Sequence, residues 1–169
     1  MNEVLWIALF LLTFVTMEFV AWAAHKYVMH GFLWSVHRDH HVKTPGFFEK
    51  NDLFFLIFAI PSWLGIMLGM IYHHDWAVAV GFGIAAYGLA YFAVHEVFIH
   101  RRFSWWKKTD NFYFRAVLRA HKMHHKHLGK EEGESFGMLL IHPRYWKAEQ
   151  EAELQSQSRS ASRQPKGVR

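Results

Sequence analysis

Fourteen of the 169 residues are histidine, and ten of them follow a repeated order. His25 and His30 have four residues between them, and His37 is followed by His40 and His41. His95 and His100 again have four residues between them, and His121 is followed by His124 and His125. The order is pair, triad, pair, triad. Positions i, i+3 and i+4 share one face of a helix, so each triad is expected to aim three imidazoles at a single point. The pairs differ: five residues at 3.6 per turn stand about 140° apart on a regular α-helix. Both pairs lie where an apolar run ends, and Gly31 directly after His30 marks a helix end, so a terminal or widened turn is expected to bring the two rings together.

The chemistry open to such a set is metal ligation. The chain has no cysteine, which excludes disulfides, thiolate sites and thiol nucleophiles and leaves imidazole and carboxylate as ligands. Ten imidazoles exceed the four to six positions of one ion, so two metals with about five nitrogens each are expected. A structural zinc is satisfied by four ligands and needs no open position. Spare coordination suits iron that must bind dioxygen, although affinity alone leaves zinc open, and zinc is a possible occupant of purified material. Metal-bound imidazoles donate their outer N–H to an acceptor, so Asp39, inside the first triad, and Glu96, inside the second pair, are candidates for that role. Glu18 is the one acid within a predicted span. It lies two turns before His25 on the same helix face, where it must face the bundle interior, bonded to a histidine or lining a substrate path.

The elements that position these residues are apolar. Val4 to Ala24 is an almost unbroken run of 21 residues, roughly 31 Å as a helix and long enough to cross hydrocarbon. A cleaved signal is the competing reading, but no Lys or Arg precedes the run. Leu53 to Ile71 and Trp76 to Val94 are separated only by Tyr72-His73-His74-Asp75, which predicts a transmembrane hairpin. Gly81, Gly83 and Gly88 offer its second helix small surfaces for close packing. All nineteen Lys and Arg lie between residues 26 and 50 or from Arg101 onward. The positive-inside rule therefore places the N-terminus outside and the histidine-bearing loops in the cytoplasm. Tyr87 and Tyr91 precede His95 by eight and four residues and share its face, where they are expected to wall a substrate pocket.

The fold class expected is all-α, an integral-membrane bundle of about three to four transmembrane helices with a cytoplasmic histidine-rich cap. The membrane-embedded domain is expected over residues 1–147, followed by a polar tail, 148–169, in which a short helix frays into disorder. A hydrophobic fraction of 52% and a net charge of +5 fit a membrane protein with basic interior loops better than a nucleic-acid binder. A histidine-lined metal transporter would spread its ligands through membrane depth, whereas these gather at one interface.

The segments His25-Lys26-Tyr27-Val28-Met29-His30-Gly31, His37-Arg38-Asp39-His40-His41, His95-Glu96-Val97-Phe98-Ile99-His100-Arg101-Arg102 and Ala120-His121-Lys122-Met123-His124-His125 resemble the bacterial β-carotene hydroxylases of the fatty acid hydroxylase superfamily. So do Phe48-Glu49-Lys50-Asn51-Asp52-Leu53 and the stretch from Gly129 through Gly137. The resemblance runs from about Glu18 to Leu140, and His73, His74, His127 and His142 lie outside it. It implies a di-iron centre on the ten histidines and O2-dependent 3-hydroxylation of β-ionone rings, turning β-carotene into β-cryptoxanthin and zeaxanthin. It further implies electrons from NAD(P)H through a reductase and ferredoxin, and residence in the inner (plasma) membrane. Arg101, Arg102, Lys107 and Lys108 form a basic run that could receive an acidic ferredoxin. A ketolase, desaturase or fatty acyl hydroxylase would need the same cage.

Overall fold

The computed structural model describes residues 1–42, 45–106, 108–129 and 131–162, with side chains as far as residue 159. Among these residues every regular element is helical and none is a strand. The helices are α1 (Glu3–Ala23), α2 (Trp34–His41), α3 (Phe54–Ile71), α4 (Asp75–Phe92), α5 (Phe112–His124) and α6 (Pro143–Ser162). Two π-helical segments, Ala24–Phe32 and Ala93–Ile99, prolong α1 and α4, and a short 3-10 turn, Lys50–Leu53, leads into α3.

Three helical stretches are long and apolar enough to cross a membrane: Glu3–Phe32, Lys50–Ile71 and Asp75–Ile99, of 30, 22 and 25 residues. They overlap the three apolar runs of the sequence and are longer, because the π segments that carry the histidine pairs continue two of them. Their outward faces leave Leu5, Leu12 and Phe19 of α1, Phe55, Trp63 and Met70 of α3, and Phe82 and Leu89 of α4 exposed. In water such a surface would be costly, whereas lipid tails solvate it freely. The inner contacts are few: Met17, Ala21 and Tyr87 are buried, with Phe14, Phe58 and Ile84 packed on them.

Helix α4 packs against both α1 and α3. Two glycines permit the approach. A Cβ on Gly81 would stand 2.7 Å from Ile66 Cγ1 and 2.8 Å from the Ser62 carbonyl oxygen, and one on Gly83 2.7 Å from Thr13 Cβ and 2.9 Å from the Phe10 oxygen. Gly88, expected to serve in the same way, has no neighbour within 4 Å of its would-be Cβ and makes no such contact.

Beyond the bundle, α5 and α6 are clasped by charge. Arg115 Nε and Arg119 Nη2 donate to the two oxygens of Glu149 at 2.7 and 2.9 Å, and Tyr145 is buried. The short helix expected at the start of the polar tail is α6, which runs as far as Ser162. Residues 163–169 lie outside the described ones.

Candidate metal centre

The histidine pairs meet because the helix widens under them. In a π-turn each N–H reaches five residues back, so residue i+5 returns over residue i. Leu33 N donates to Val28 O at 3.0 Å and His100 N to His95 O at 2.9 Å, both five-residue bonds. The ring centroids of His25 and His30 are 5.1 Å apart and those of His95 and His100 are 4.5 Å apart. The first segment then bends at Gly31 (φ −99, ψ −123), which turns α2 back towards the centre.

All ten histidines gather at the end of the bundle where α1 and α4 both stop, in two groups. One nitrogen from each of His25, His30, His37, His41 and His124 lies within 4.8 Å of the others, and the same holds for His40, His95, His100 and His121. His125 adjoins the second group, with its Nε2 2.8 Å from that of His121, and its ring stacks 4.4 Å from His41 of the first. Each triad is thus divided rather than aimed at one point. Residues i and i+4 (His37 with His41, His121 with His125) look one way along the helix, and the i+3 member looks to the other group. A helix wedged between two ligand positions presents i and i+4 nearly in line and i+3 across the groove, a distinction hidden when the helix is considered alone.

The outer nitrogens are held by acceptors. His25 Nδ1 donates to the Phe136 carbonyl (2.9 Å), His30 Nδ1 to Leu128 (2.9 Å) and His124 Nδ1 to Glu134 (2.9 Å). His37 Nδ1 donates to Asn51 Oδ1 (2.6 Å), His40 Nδ1 to Glu49 Oε2 (3.1 Å) and His95 Nδ1 to Glu96 Oε1 (2.6 Å). With Nδ1 committed as donor, each Nε2 presents a bare lone pair inward. Several face one another: His25 and His37 at 3.1 Å, His30 and His124 at 3.3 Å, His100 and His121 at 3.0 Å. The buried Nε2 atoms of His40 and His95 have no hydrogen-bond partner at all.

Protonation does not relieve this crowding. Burial pushes His37 down to about 3, His41 and His124 to about 2 and His125 to about 4, and neighbouring imidazoles act in the same direction. His40, His100 and His121 are lowered by the same causes. Neutral rings with converging lone pairs and pinned outer nitrogens are what divalent metal ions require, and the donor set fits two of them.

The acids fall into different places. Glu96 holds His95 directly and lies 3.1 Å from Arg102 Nη1. Asp39 makes no hydrogen bond to a histidine ring among the described residues. Its oxygens accept from Lys50 N (2.5 Å) and Asn51 N (3.3 Å), so it fixes the turn that presents Asn51 to His37. Glu49 and Asn51 carried no assigned role in the sequence. The signal available was their position just after the first triad, on a turn closed by its own capping box. Burial raises the Glu49 carboxyl and Arg102 works against it. Arg102 also clasps both oxygens of Asp52 at 2.7 and 3.0 Å, so it is committed to the interior. Arg101 and Lys108 are exposed, and Lys107 lies outside the described residues.

Glu18 is buried, and its partners among the described residues include no histidine. Its Oε1 accepts from the backbone N–H of Met138, Leu139 and Leu140 at 2.9, 2.9 and 2.8 Å, and its Oε2 accepts from the Tyr87 hydroxyl at 2.7 Å. It anchors the strip whose earlier carbonyls, Glu134 and Phe136, hold His124 and His25. Tyr87 therefore serves the core, while the Tyr91 ring packs 4.9 Å from His95. His73 and His74 sit in the α3–α4 turn at the far end of these helices, and His142 Nδ1 accepts from Arg144 N.

Comparison with known proteins bears on this arrangement. The fatty acid hydroxylase family profile matches residues 10–142. A β-carotene hydroxylase of Pantoea ananas is 42% identical over 144 residues, covering 82% of this chain and 81% of that protein. A β-carotene hydroxylase of Paracoccus sp. (strain PC1) is 34% identical, covering 78% and 81%. A chloroplastic β-carotene 3-hydroxylase of Gentiana lutea is 36% identical, covering 75% of this chain and 40% of its own. No solved structure matches.

Proposed function

Because the chain belongs to the fatty acid hydroxylase family, we propose that it is a membrane-bound O2-dependent hydroxylase acting at C3 of β-ionone rings, converting β-carotene through β-cryptoxanthin to zeaxanthin. The observation that carries this reading is the pair of neutral, inward-facing histidine groups at one end of a lipid-facing bundle, in a chain whose relatives are named for carotenoid hydroxylation. The first group would hold one iron through His25, His30, His37, His41 and His124. The second would hold another through His40, His95, His100, His121 and His125. When bound, such a pair supplies the activation of dioxygen, placing one oxygen atom on C3 and, with two electrons and two protons, releasing the other as water.

The chain supplies the rest. Outer acceptors keep the Nδ1 atoms of His25, His30, His37, His40, His95 and His124 protonated and their Nε2 atoms free, so ligation by these six needs no proton release at neutral pH. A wholly apolar substrate dissolves in the bilayer and approaches laterally between the spans, with Tyr91 beside His95 forming part of the wall that positions the ring. Ferredoxin, reduced through an NAD(P)H-dependent reductase, would deliver electrons at the basic end, where Arg101 and Lys108 remain exposed. In the sequence the nineteen Lys and Arg fall only in the segment 26–50 and from Arg101 onward, which supports a cytoplasmic orientation of the histidine-bearing end in the inner membrane, with the N-terminus outside.

The deciding experiment is anaerobic reconstitution of metal-free protein with Fe2+, metal counting, and O2-dependent turnover of β-carotene with product analysis. Two irons per chain and a 3-hydroxylated product are expected. A 4-keto product would assign it to ketolation instead, and tight metal binding without oxygen chemistry would overturn the reading.

A further inference from the structure

The two histidine groups differ in what grips them from outside. In the first group each Nδ1 acceptor is neutral: the carbonyls of Phe136, Leu128 and Glu134 and the side-chain amide of Asn51. In the second group the Nδ1 acceptors of His40 and His95 are carboxylates, Glu49 and Glu96. Arg102 ties these same two acids together. Its guanidinium lies 3.1 Å from Glu96 Oε2 and 3.9 Å from Glu49 Oε1, and its backbone N–H donates to the Glu96 carbonyl at 3.0 Å.

A carboxylate acceptor leaves an imidazole more electron-rich than a neutral amide does, and it places negative charge one ring away from the ion. The Glu49 and Glu96 side chains are only 25% and 13% exposed, so solvent screens this difference in part. Arg102 offsets part of that charge as an ion pair to both acids, while its own position is fixed by the fork it makes with Asp52. The first group has no counterpart: its acceptors are dipoles, and buried His41 Nδ1 has no partner.

We propose that the two metal positions are unequal by construction, with the position on His40, His95, His100 and His121 the tighter, and with Glu49 and Glu96 as positioning residues that set the difference. This rests on the reading that the histidines hold two ions. Loading is then ordered: the carboxylate-backed position fills first and empties last. Asn51 is the residue whose neutrality keeps the other position weaker.

The test is a titration of the metal-free full chain in detergent with Co2+, against a competing chelator and followed by cobalt absorption. Two equivalents are expected to bind in two steps, the first at least about 10-fold tighter. Glu49→Gln and Glu96→Gln keep shape and an acceptor oxygen, and each is expected to weaken the tight step by about 10–100-fold while leaving the other unchanged. Asn51→Asp is expected to strengthen the weak step. Two equal steps in the unmodified chain, or glutamine variants that weaken both steps alike, would overturn the proposal. Fewer than two cobalt ions bound in any form would overturn the two-ion reading along with it.

Discussion

His40 shares α2 with His37 and His41 yet belongs to the group on the other side of the centre, and His124 does the same from α5. Removing a ligand should therefore act across the helix rather than along it. His40→Ala and His95→Ala are expected to lose the same ion, so the double variant loses no more metal than either single one, about one ion of two. His40→Ala combined with His41→Ala should lose both. Metal analysis of the purified variants checks this, and additive loss for the first combination would show that the groups are wired otherwise. Protonation belongs to the same scale. The folded chain holds His37 and His125 below their ordinary value of 6.5, at about 3 and 4. Below pH 6.5 the unfolded chain therefore takes up protons that the folded one refuses, and stability falls as pH falls. Each such group costs up to about 1.4 kcal/mol per pH unit. The melting temperature of metal-free protein should be level from pH 8 to 7 and drop steeply from 6.5 towards 4, and a level profile across that window would contradict the buried neutral cage. At this scale the clustering of the histidines was legible from spacing because imidazole is a conspicuous side chain. Their outer partners were legible only in part. Glu96 adjoins its histidine in sequence, but the carbonyls of Leu128, Glu134 and Phe136 have no side-chain signature, and Asn51 takes its place only through a turn fixed by Asp39.

Among the elements, the π segments convert a five-residue spacing into adjacency, and the sequence could pose that need without fixing how it is met. Spans were legible for a simpler reason: hydropathy over some twenty residues averages away local detail. Packing between them was not, since Gly81 and Gly88 look alike as letters and differ only in whether a neighbouring backbone stands opposite. Gly81→Leu should drive a side chain into Ile66 and the Ser62 carbonyl and lower stability by about 1–3 kcal/mol. Gly88→Ala meets open space and should leave the melting temperature unchanged or slightly raised. Equal damage from both would mean that α4 is not held as closely as the contacts indicate.

At the level of the whole molecule, Glu18 joins the first span to residues 138–140, near the end of the matched region. Glu18→Gln keeps one acceptor but loses the charge that three N–H groups and a phenol share. Faster hydrogen exchange over residues 134–141 and a loss of metal from the group containing His25 and His124 are expected. Unchanged exchange there would remove the anchor from the account. Orientation is testable because the chain has no cysteine to interfere. In intact cells an impermeant thiol reagent should label His73→Cys, and it should reach Ser104→Cys only after permeabilisation. The opposite pattern would put the histidines outside.

The exchange of His40 and His124 also bears on how the centre can come into being. Residues up to the α3–α4 turn contribute four nitrogens to one position and lend a single one to the other, and the residues after it reciprocate. Neither half of the polypeptide owns a complete nest. A ribosome that has released only the first two spans has made nothing that can capture an ion with its full complement. Separately expressed halves should each bind cobalt more weakly than the whole chain, and the spectrum of the intact centre should develop only when they are mixed or co-translated.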